Sequence, residues 1–275
     1  VSTKKPGGHP ARAGRAEDAR EARRAKAAAL RQRELARERS RRVVLVSLVV
    51  VVVLALVAVV AVVVVRANRD DPAAAQAVPP SAAAQGAGYV LPGTPAAGAP
   101  TVDIWLDYQC PYCKEFEDAA GDAYVELAAS GQAEVVVHTL TFLDGNLGND
   151  ASQRAAEAAA AADAQGRFVE YTEVVFAHQP EREGAGYTDA QLRQFAQDAG
   201  VPDLAAWEAA YEGHAYRDHV RAVADSMRAD DVSGTPTVTV TPPGGEKRTI
   251  PAEELLGADP AGALQRAVTA ATVAP

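Results

Sequence analysis

The chain has 275 residues, a formal net charge of −9 at pH 7 and only two cysteines, enough for one sizeable domain with appendages. Its charge is uneven: residues 1–42 hold 14 Lys/Arg against 5 Asp/Glu, and residues 101–275 hold 11 against 29. The strongly acidic C-terminal part lacks the basic face that nucleic acid requires, which argues against that class of partner.

Residues 1–42 read as a basic, solvated tail, helical in part; the alternative is a helix lying on anionic lipid. Val43 to Val65 is 23 residues without a charge, and Ser47 is its one polar side chain. As a helix it spans ~34 Å, enough for a hydrocarbon core of ~30 Å. A cleaved signal peptide has a shorter apolar region and a shorter basic head, so the segment reads as an uncleaved anchor, although Ala73-Ala74-Ala75 could pass for a cleavage site. Basic residues crowd its N-terminal side, which predicts a cytoplasmic N-terminus, a single pass and an extracytoplasmic C-terminal domain. Residues 66–88, rich in Ala, Gly, Gln and Pro, read as a flexible linker. A domain over 89–275 follows.

Tyr89–Leu91 is a candidate first strand. Thr101–Leu106 is β-branched and apolar and reads as a buried strand. The helix after it starts at Cys110-Pro111-Tyr112-Cys113 and ends near Gly131. A strand over 133–141 would complete a βαβ unit with a parallel pair. A helical stretch comes next. It holds an Ala-rich helix over 151–164, an apolar stripe of Phe168, Tyr171, Val174 and Val175, a capping box at Thr188/Gln191 closed by Gly200, and helices over 204–211 and 216–227. After Gly234-Thr235-Pro236, strands over 237–240 and 247–250 and a helix over 261–273 end the chain.

The two cysteines carry the chemistry. A helix N-terminus offers unpaired N–H groups and partial positive charge, and a sulfur placed there is favoured as the reactive thiolate. Two intervening residues let both sulfurs meet at the first turn, so the pair can close and reopen as a disulfide. Outside the cytoplasm such a disulfide persists. Pro111 suits the first helical position, where no N–H is needed. Zinc shares the CxxC spacing but needs two further ligands. The candidates are His9, His138, His178, His214 and His219. His214 and His219 are five apart on a predicted helix and so on different faces, and His138, among valines, reads as a surface or packing residue. No metal site is expected.

Asp107-Tyr108-Gln109-Cys110-Pro111-Tyr112-Cys113, a helical insertion over about 149–230, and Ser233-Gly234-Thr235-Pro236-Thr237 together resemble the DsbA-like branch of the thioredoxin superfamily, and its membrane-anchored bacterial members in particular. The resemblance covers about residues 89–275. It implies an α/β thioredoxin-like fold with a helical insertion, behind one transmembrane helix. It also implies that Cys110 is the exposed nucleophile, that Cys113 forms or resolves the disulfide, and that Pro236 is a cis-proline packed against that disulfide. Thr235 would pair its backbone with substrate, and Pro111 and Tyr112 would support the site. No cofactor beyond the Cys110–Cys113 disulfide is implied. The implied activity is protein thiol–disulfide exchange, oxidising secreted or envelope protein thiols, with recycling by a membrane quinone-linked thiol oxidase; the enzyme would be a monomer. The alternatives are a reductase for one dedicated envelope partner and a non-catalytic peptide-binding module. One departure stands out. Members of this branch often carry a buried acid six positions before the first cysteine, and Ile104 occupies that position here. Asp107 reads as a turn residue, and Glu115, Glu117 and Asp118 crowd the active-site helix, opposing a strongly depressed Cys110 pKa, while Lys114 and the helix end favour one.

Overall fold

The structure, a computed structural model, describes residues 77–83 and 88–272. The expected basic tail (1–42), the apolar span (43–65) and most of the linker (66–88) lie outside the described residues. Among the described residues, no helix is long and apolar enough to cross a membrane.

A five-stranded sheet forms the frame. Its strands are β1 (Tyr89–Val90), β2 (Thr101–Asp107), β3 (Glu134–Leu140), β4 (Thr237–Thr241) and β5 (Arg248–Thr249), in the order β1-β3-β2-β4-β5. β2 and β3 run parallel, with Ile104 opposite Val137 and Trp105 opposite His138. The other three pairings are antiparallel. A parallel pair needs a crossover, and helix α1 (Pro111–Ala129) supplies it. The central strand is covered on both faces, which explains its nearly unbroken apolar run. Val102, Ile104 and Leu106 join Phe116 and Leu127 of α1 in the main core, with Leu264 and Val268 of the last helix, Pro260–Thr272. Trp105 points the other way and packs with Leu140, Val223 and Val232.

The chain between β3 and β4 is helical: α2 (Phe142–Leu147), α3 (Ala151–Asp163), α4 (Phe168–Ala177), α5 (Asp189–Asp198), α6 (Leu204–Glu212) and α7 (Arg217–Ala229). After β5 come α8 (Ala252–Leu255) and α9 (Pro260–Thr272). In α3, Ala155, Ala156 and Ala158 through Ala162 have no exposed surface. Its first N–H groups are satisfied from outside the helix. Asp144 of α2 accepts from Ser152 N at 2.8 Å and Gln153 N at 2.9 Å, which suits a negative charge at a helix N-terminus. Trp207 of α6 donates its indole N–H to the Ala158 carbonyl at 3.0 Å. The Thr188/Gln191 capping box forms, and Gly200 follows α5 with φ +71°.

Several expectations need correction. Periodicity did not reveal α2 or α8: α2 is six residues long with no buried residue, and α8 is a four-residue turn. The strands at 89, 133 and 247 are shorter than expected. Of the two readings for His138, surface or packing, the structure shows packing. His138 is buried, stacks on Trp105 with ring centroids 4.6 Å apart, and bonds Asp103 at 3.0 Å. His214 is not on the same helix as His219. It precedes α7 with φ 51° and bonds Glu157 at 2.6 Å, whereas His219 lies in α7, where burial lowers its pKa to about 4.

Candidate active site

β2 ends in a tight turn that delivers the chain to α1. The Asp107 carbonyl accepts the Cys110 N–H at 2.9 Å, and its carboxylate accepts the Gln109 N–H at 2.9 Å. Cys110 is the N-cap of α1, with φ −78° and ψ 117°, and Pro111 takes the first helical position. Its carbonyl opens the helix by accepting from Cys113 N at 3.1 Å and Lys114 N at 3.2 Å. That places Cys113 within the first turn and fully buried.

Both cysteines are free, so the site is in its dithiol form. Cys110 is not the exposed residue that was expected. It is only 6 % exposed, and its Sγ donates to the Thr235 carbonyl at 3.4 Å. The Thr235–Pro236 peptide bond is cis, and Pro236 is buried. Tyr112, between the cysteines, is 57 % exposed and presents an aromatic face beside the sulfur pair.

The two sulfurs are driven apart in acidity. The Cys113 thiol donates to the Cys110 sulfur and is the largest influence lowering the Cys110 pKa to about 6; burial opposes it, while Thr235 and the N–H groups of Cys113 and Tyr112 assist. Cys113 moves the other way, well above the ordinary thiol value, first through burial and then through its bond to Cys110. The Thr235 hydroxyl is buried with no hydrogen-bond partner of its own, and its place beside the sulfurs favours the thiolate at both. Once Cys110 loses its proton it gives up its own bond to the Thr235 carbonyl, and the pair becomes one thiolate and one thiol.

The acids around the site act differently from the expectation. Glu117 does not face Cys110 as an exposed charge. It is buried, takes the Tyr124 hydroxyl at 2.7 Å on Oε1 and 2.9 Å on Oε2, and burial raises its pKa to about 7. Asp118 pairs with Lys114 at 2.9 Å on the helix surface. Ile104 is wholly buried in the main core. Asp107 is more than a turn residue. It is fully buried, takes bonds from Ser152 Oγ at 2.5 Å and Leu143 N at 3.2 Å, and burial raises its pKa to about 7.

Sequence reading missed the polar hands that grip the CPYC loop from the helical insertion. Tyr187 donates its hydroxyl to the Tyr108 carbonyl at 2.8 Å. Gln179, just after α4, donates from Nε2 to the carbonyls of Tyr108 at 2.8 Å and Cys110 at 3.1 Å. Tyr108 Oη meets Thr172 Oγ1 at 2.9 Å. The Gln109 amide bonds Asp144, Asn149 and Ser152 at 2.8–2.9 Å. Nothing in the local sequence of these residues marks them, because the partners lie 35 to 79 positions away. Among the described residues, no group of three or more His, Cys, Asp or Glu is placed to hold a metal ion.

A parallel-centred α/β sheet with a paired-cysteine helix start and a facing cis-proline loop defines a thioredoxin-like protein with a helical insertion. A thioredoxin family model matches residues 88–251, and the chain belongs to that family. Solved structures share the fold. The thiol-disulfide oxidoreductase MdbA from Actinomyces oris is 21% identical, with a TM-score of 0.57 over 72% of this chain and 96% of that one. BdbD from Bacillus subtilis in its oxidised form is 19% identical, with a TM-score of 0.56 over 72% and 99%. MdbA from Corynebacterium diphtheriae, also a thiol-disulfide oxidoreductase, is 20% identical, with a TM-score of 0.53 over 69% and 98%. No curated protein matches the chain.

Proposed function

We propose that the protein is a thiol–disulfide oxidoreductase that oxidises thiols of secreted or envelope proteins through Cys110 and Cys113. The observation that carries this reading is the placement of the sulfur pair, with Cys110 capping α1, Cys113 buried in its first turn and the cis Thr235–Pro236 loop against Cys110; the lowered pKa of Cys110 and raised pKa of Cys113 agree with it. The structurally similar MdbA proteins, described as thiol-disulfide oxidoreductases, support it.

The chemistry balances as follows. In the oxidised enzyme, a client thiolate attacks the Cys110 sulfur and breaks the Cys110–Cys113 bond. Cys113 leaves and takes up a proton, which its raised pKa favours. A second client thiolate attacks the client sulfur of the mixed disulfide, and Cys110 departs as thiolate. A low leaving-group pKa speeds that departure. The client loses two electrons, and the enzyme is left as the dithiol form seen here. Stabilising this reduced form makes the disulfide a stronger oxidant, which favours oxidation over reduction.

Three further parts complete the reading: the membrane anchor, read from the sequence, and the recycling partner and monomeric state, carried over from the family resemblance. The apolar segment over 43–65 anchors the protein in the cell membrane, with residues 1–42 in the cytoplasm and the catalytic domain outside. A membrane quinone-linked thiol oxidase returns Cys110 and Cys113 to the disulfide, and the enzyme works as a monomer.

The test is oxidation of a reduced, unfolded model protein. Cys110→Ser and Cys113→Ala are each expected to abolish turnover, because neither can form the Cys110–Cys113 disulfide that takes up the client's two electrons. Normal turnover in Cys110→Ser would overturn the mechanism. A reduction potential near ~−270 mV would replace the oxidase with a reductase.

A further inference from the structure

The redox loop is held from outside the thioredoxin frame. Gln179 places both hydrogens of one amide on carbonyls two residues apart, Tyr108 at 2.8 Å and Cys110 at 3.1 Å. Both partners are acceptors only, so the nitrogen of that amide must face them. The Cys110 carbonyl is also where α1 begins, since Cys113 N and Lys114 N bond it. One side chain of the insertion therefore fixes the peptide that carries the first sulfur and the cap that orients the second.

We propose that Gln179 is a positioning residue for thiol–disulfide exchange, bridging the Tyr108 and Cys110 carbonyls so that the Cys110 sulfur is held against Cys113 and Thr235 and the negative end of its own carbonyl is countered. This inference rests on the exchange reading above. Two effects follow from losing the bridge. The Tyr108–Cys110 segment is freed to turn the sulfur away from the thiol and N–H groups that favour its charge. The Cys110 carbonyl also loses a donor, and its oxygen presents more negative potential beside the thiolate. Both effects destabilise the thiolate and hence the reduced form, so the disulfide becomes the weaker oxidant.

The groups that meet the Cys110 sulfur are the Cys113 thiol, the Thr235 carbonyl and hydroxyl, and the N–H groups of Cys113 and Tyr112. Of the neighbouring charges on α1, Lys114 and Asp118 pair with each other at the surface and Glu115 is exposed. Tyr187 is the internal control. It donates to the Tyr108 carbonyl with no bond to the Cys110 carbonyl, so it grips the same loop without touching the helix cap.

The experiment compares Gln179→Met, which keeps length but has no donor, Gln179→Asn, which is too short to span both carbonyls, and Tyr187→Phe. For each, the Cys110 thiolate is titrated by its ultraviolet absorbance in the reduced protein. The dithiol is then equilibrated with oxidised glutathione, giving enzyme disulfide and two reduced glutathione molecules. Urea unfolding reports folding separately. Both Gln179 variants are expected to raise the Cys110 titration by about half a pH unit and to shift the glutathione equilibrium about threefold toward the enzyme disulfide, the scale of one lost hydrogen bond. Tyr187→Phe is expected to lower stability while leaving both redox readings near wild type. Unchanged titration in both Gln179 variants, or equal shifts in Tyr187→Phe, would overturn the proposal. A wild-type protein that titrates as stated beside such variants leaves the exchange reading standing. A wild type that forms no Cys110–Cys113 disulfide with glutathione defeats both.

Discussion

The sheet side of the domain and its helical insertion bury themselves by different means. On the sheet side, Val102, Ile104, Leu106, Val135 and Val137 stack large branched side chains against α1 and α9. In the insertion, α3 is buried through alanines, and the bulk comes from its neighbours Tyr171, Phe176 and Trp207. A helix surfaced with methyl groups lets aromatic rings come down to its backbone, as the Trp207 bond to the Ala158 carbonyl shows. The chemistry divides along the same line. The frame carries both sulfurs, while the insertion carries Thr172, Gln179, Tyr187 and Ser152, which hold the loop the sulfurs sit on. The two regions depend on each other although neither motif refers to the other in sequence.

The sharpest way to break that dependence is Trp207→Ala. It removes a fully buried indole and leaves a cavity beside α3, a change that typically costs about 3–5 kcal/mol. Urea unfolding is expected to show that loss in one transition, with the Cys110 environment melting along with the insertion. Two separate transitions, with the sulfur site surviving the first, would show that the frame stands without its insertion.

How much of this was legible in the sequence follows from the range of each interaction. The β2–CPYC–α1 junction and the Thr188 cap are local patterns, and each appears where local chemistry placed it; the cis-proline of the Gly-Thr-Pro loop was expected from the family resemblance and is present. Glu117 was grouped with Glu115 and Asp118 as an acid crowding the helix, whereas a glutamate four residues after a buried cysteine lies on the same helix face and is buried with it. Gln179 and Tyr187 were invisible for another reason. Their partners are backbone carbonyls, which every residue has, and no sequence pattern distinguishes the carbonyls of Tyr108 and Cys110 from the rest. His138 was left between surface and packing because alternation with valines on an interior strand of the sheet does not separate the two, and the structure shows packing.

Glu117 gives the next largest effect, and it separates the frame's own electrostatics from the insertion's. Its pKa is raised from 4.5 to about 7, so the folded state binds its proton more tightly than the unfolded chain does. The stability this confers is fully present below pH 4.5 and is lost as pH rises through about 7. Asp107, also raised to about 7, acts in the same direction. His219, lowered from 6.5 to about 4, acts the other way and adds stability as pH rises from about 4 to 6.5, so on the oxidised protein, where the cysteines do not titrate, the fall carried by each carboxyl is read as the difference between a variant's pH curve and that of wild type. Glu117→Gln keeps the shape and removes one of the two contributions, so the fall is expected to shrink by up to about 3 kcal/mol. The same slope in Glu117→Gln and wild type would place the titration elsewhere, on Asp107 and the polar network that reaches into the insertion.

The smallest effect tests whether surface charge or the buried grip governs the sulfur. Lys114 and Asp118 form an exposed i,i+4 pair at 2.9 Å on the first turns of α1, the Asp118 side chain being 56% exposed. Such pairs are worth about 0.3–0.5 kcal/mol. Asp118→Asn is therefore expected to change unfolding stability by no more than that. It also leaves the Lys114 ammonium uncompensated near Cys110, and a nearby positive charge favours the thiolate. The Cys110 titration is expected to move slightly downward in low salt and to return to the wild-type value near 1 M salt, where the screening length falls to about 3 Å. The shift expected for Gln179→Met is opposite in sign and insensitive to salt, because it acts through a part-buried hydrogen bond rather than across solvent. If Asp118→Asn instead moved the titration further than Gln179→Met, and salt erased the effect, the thiolate would be set by the surface of its own helix, and the insertion would serve only to fill the fold.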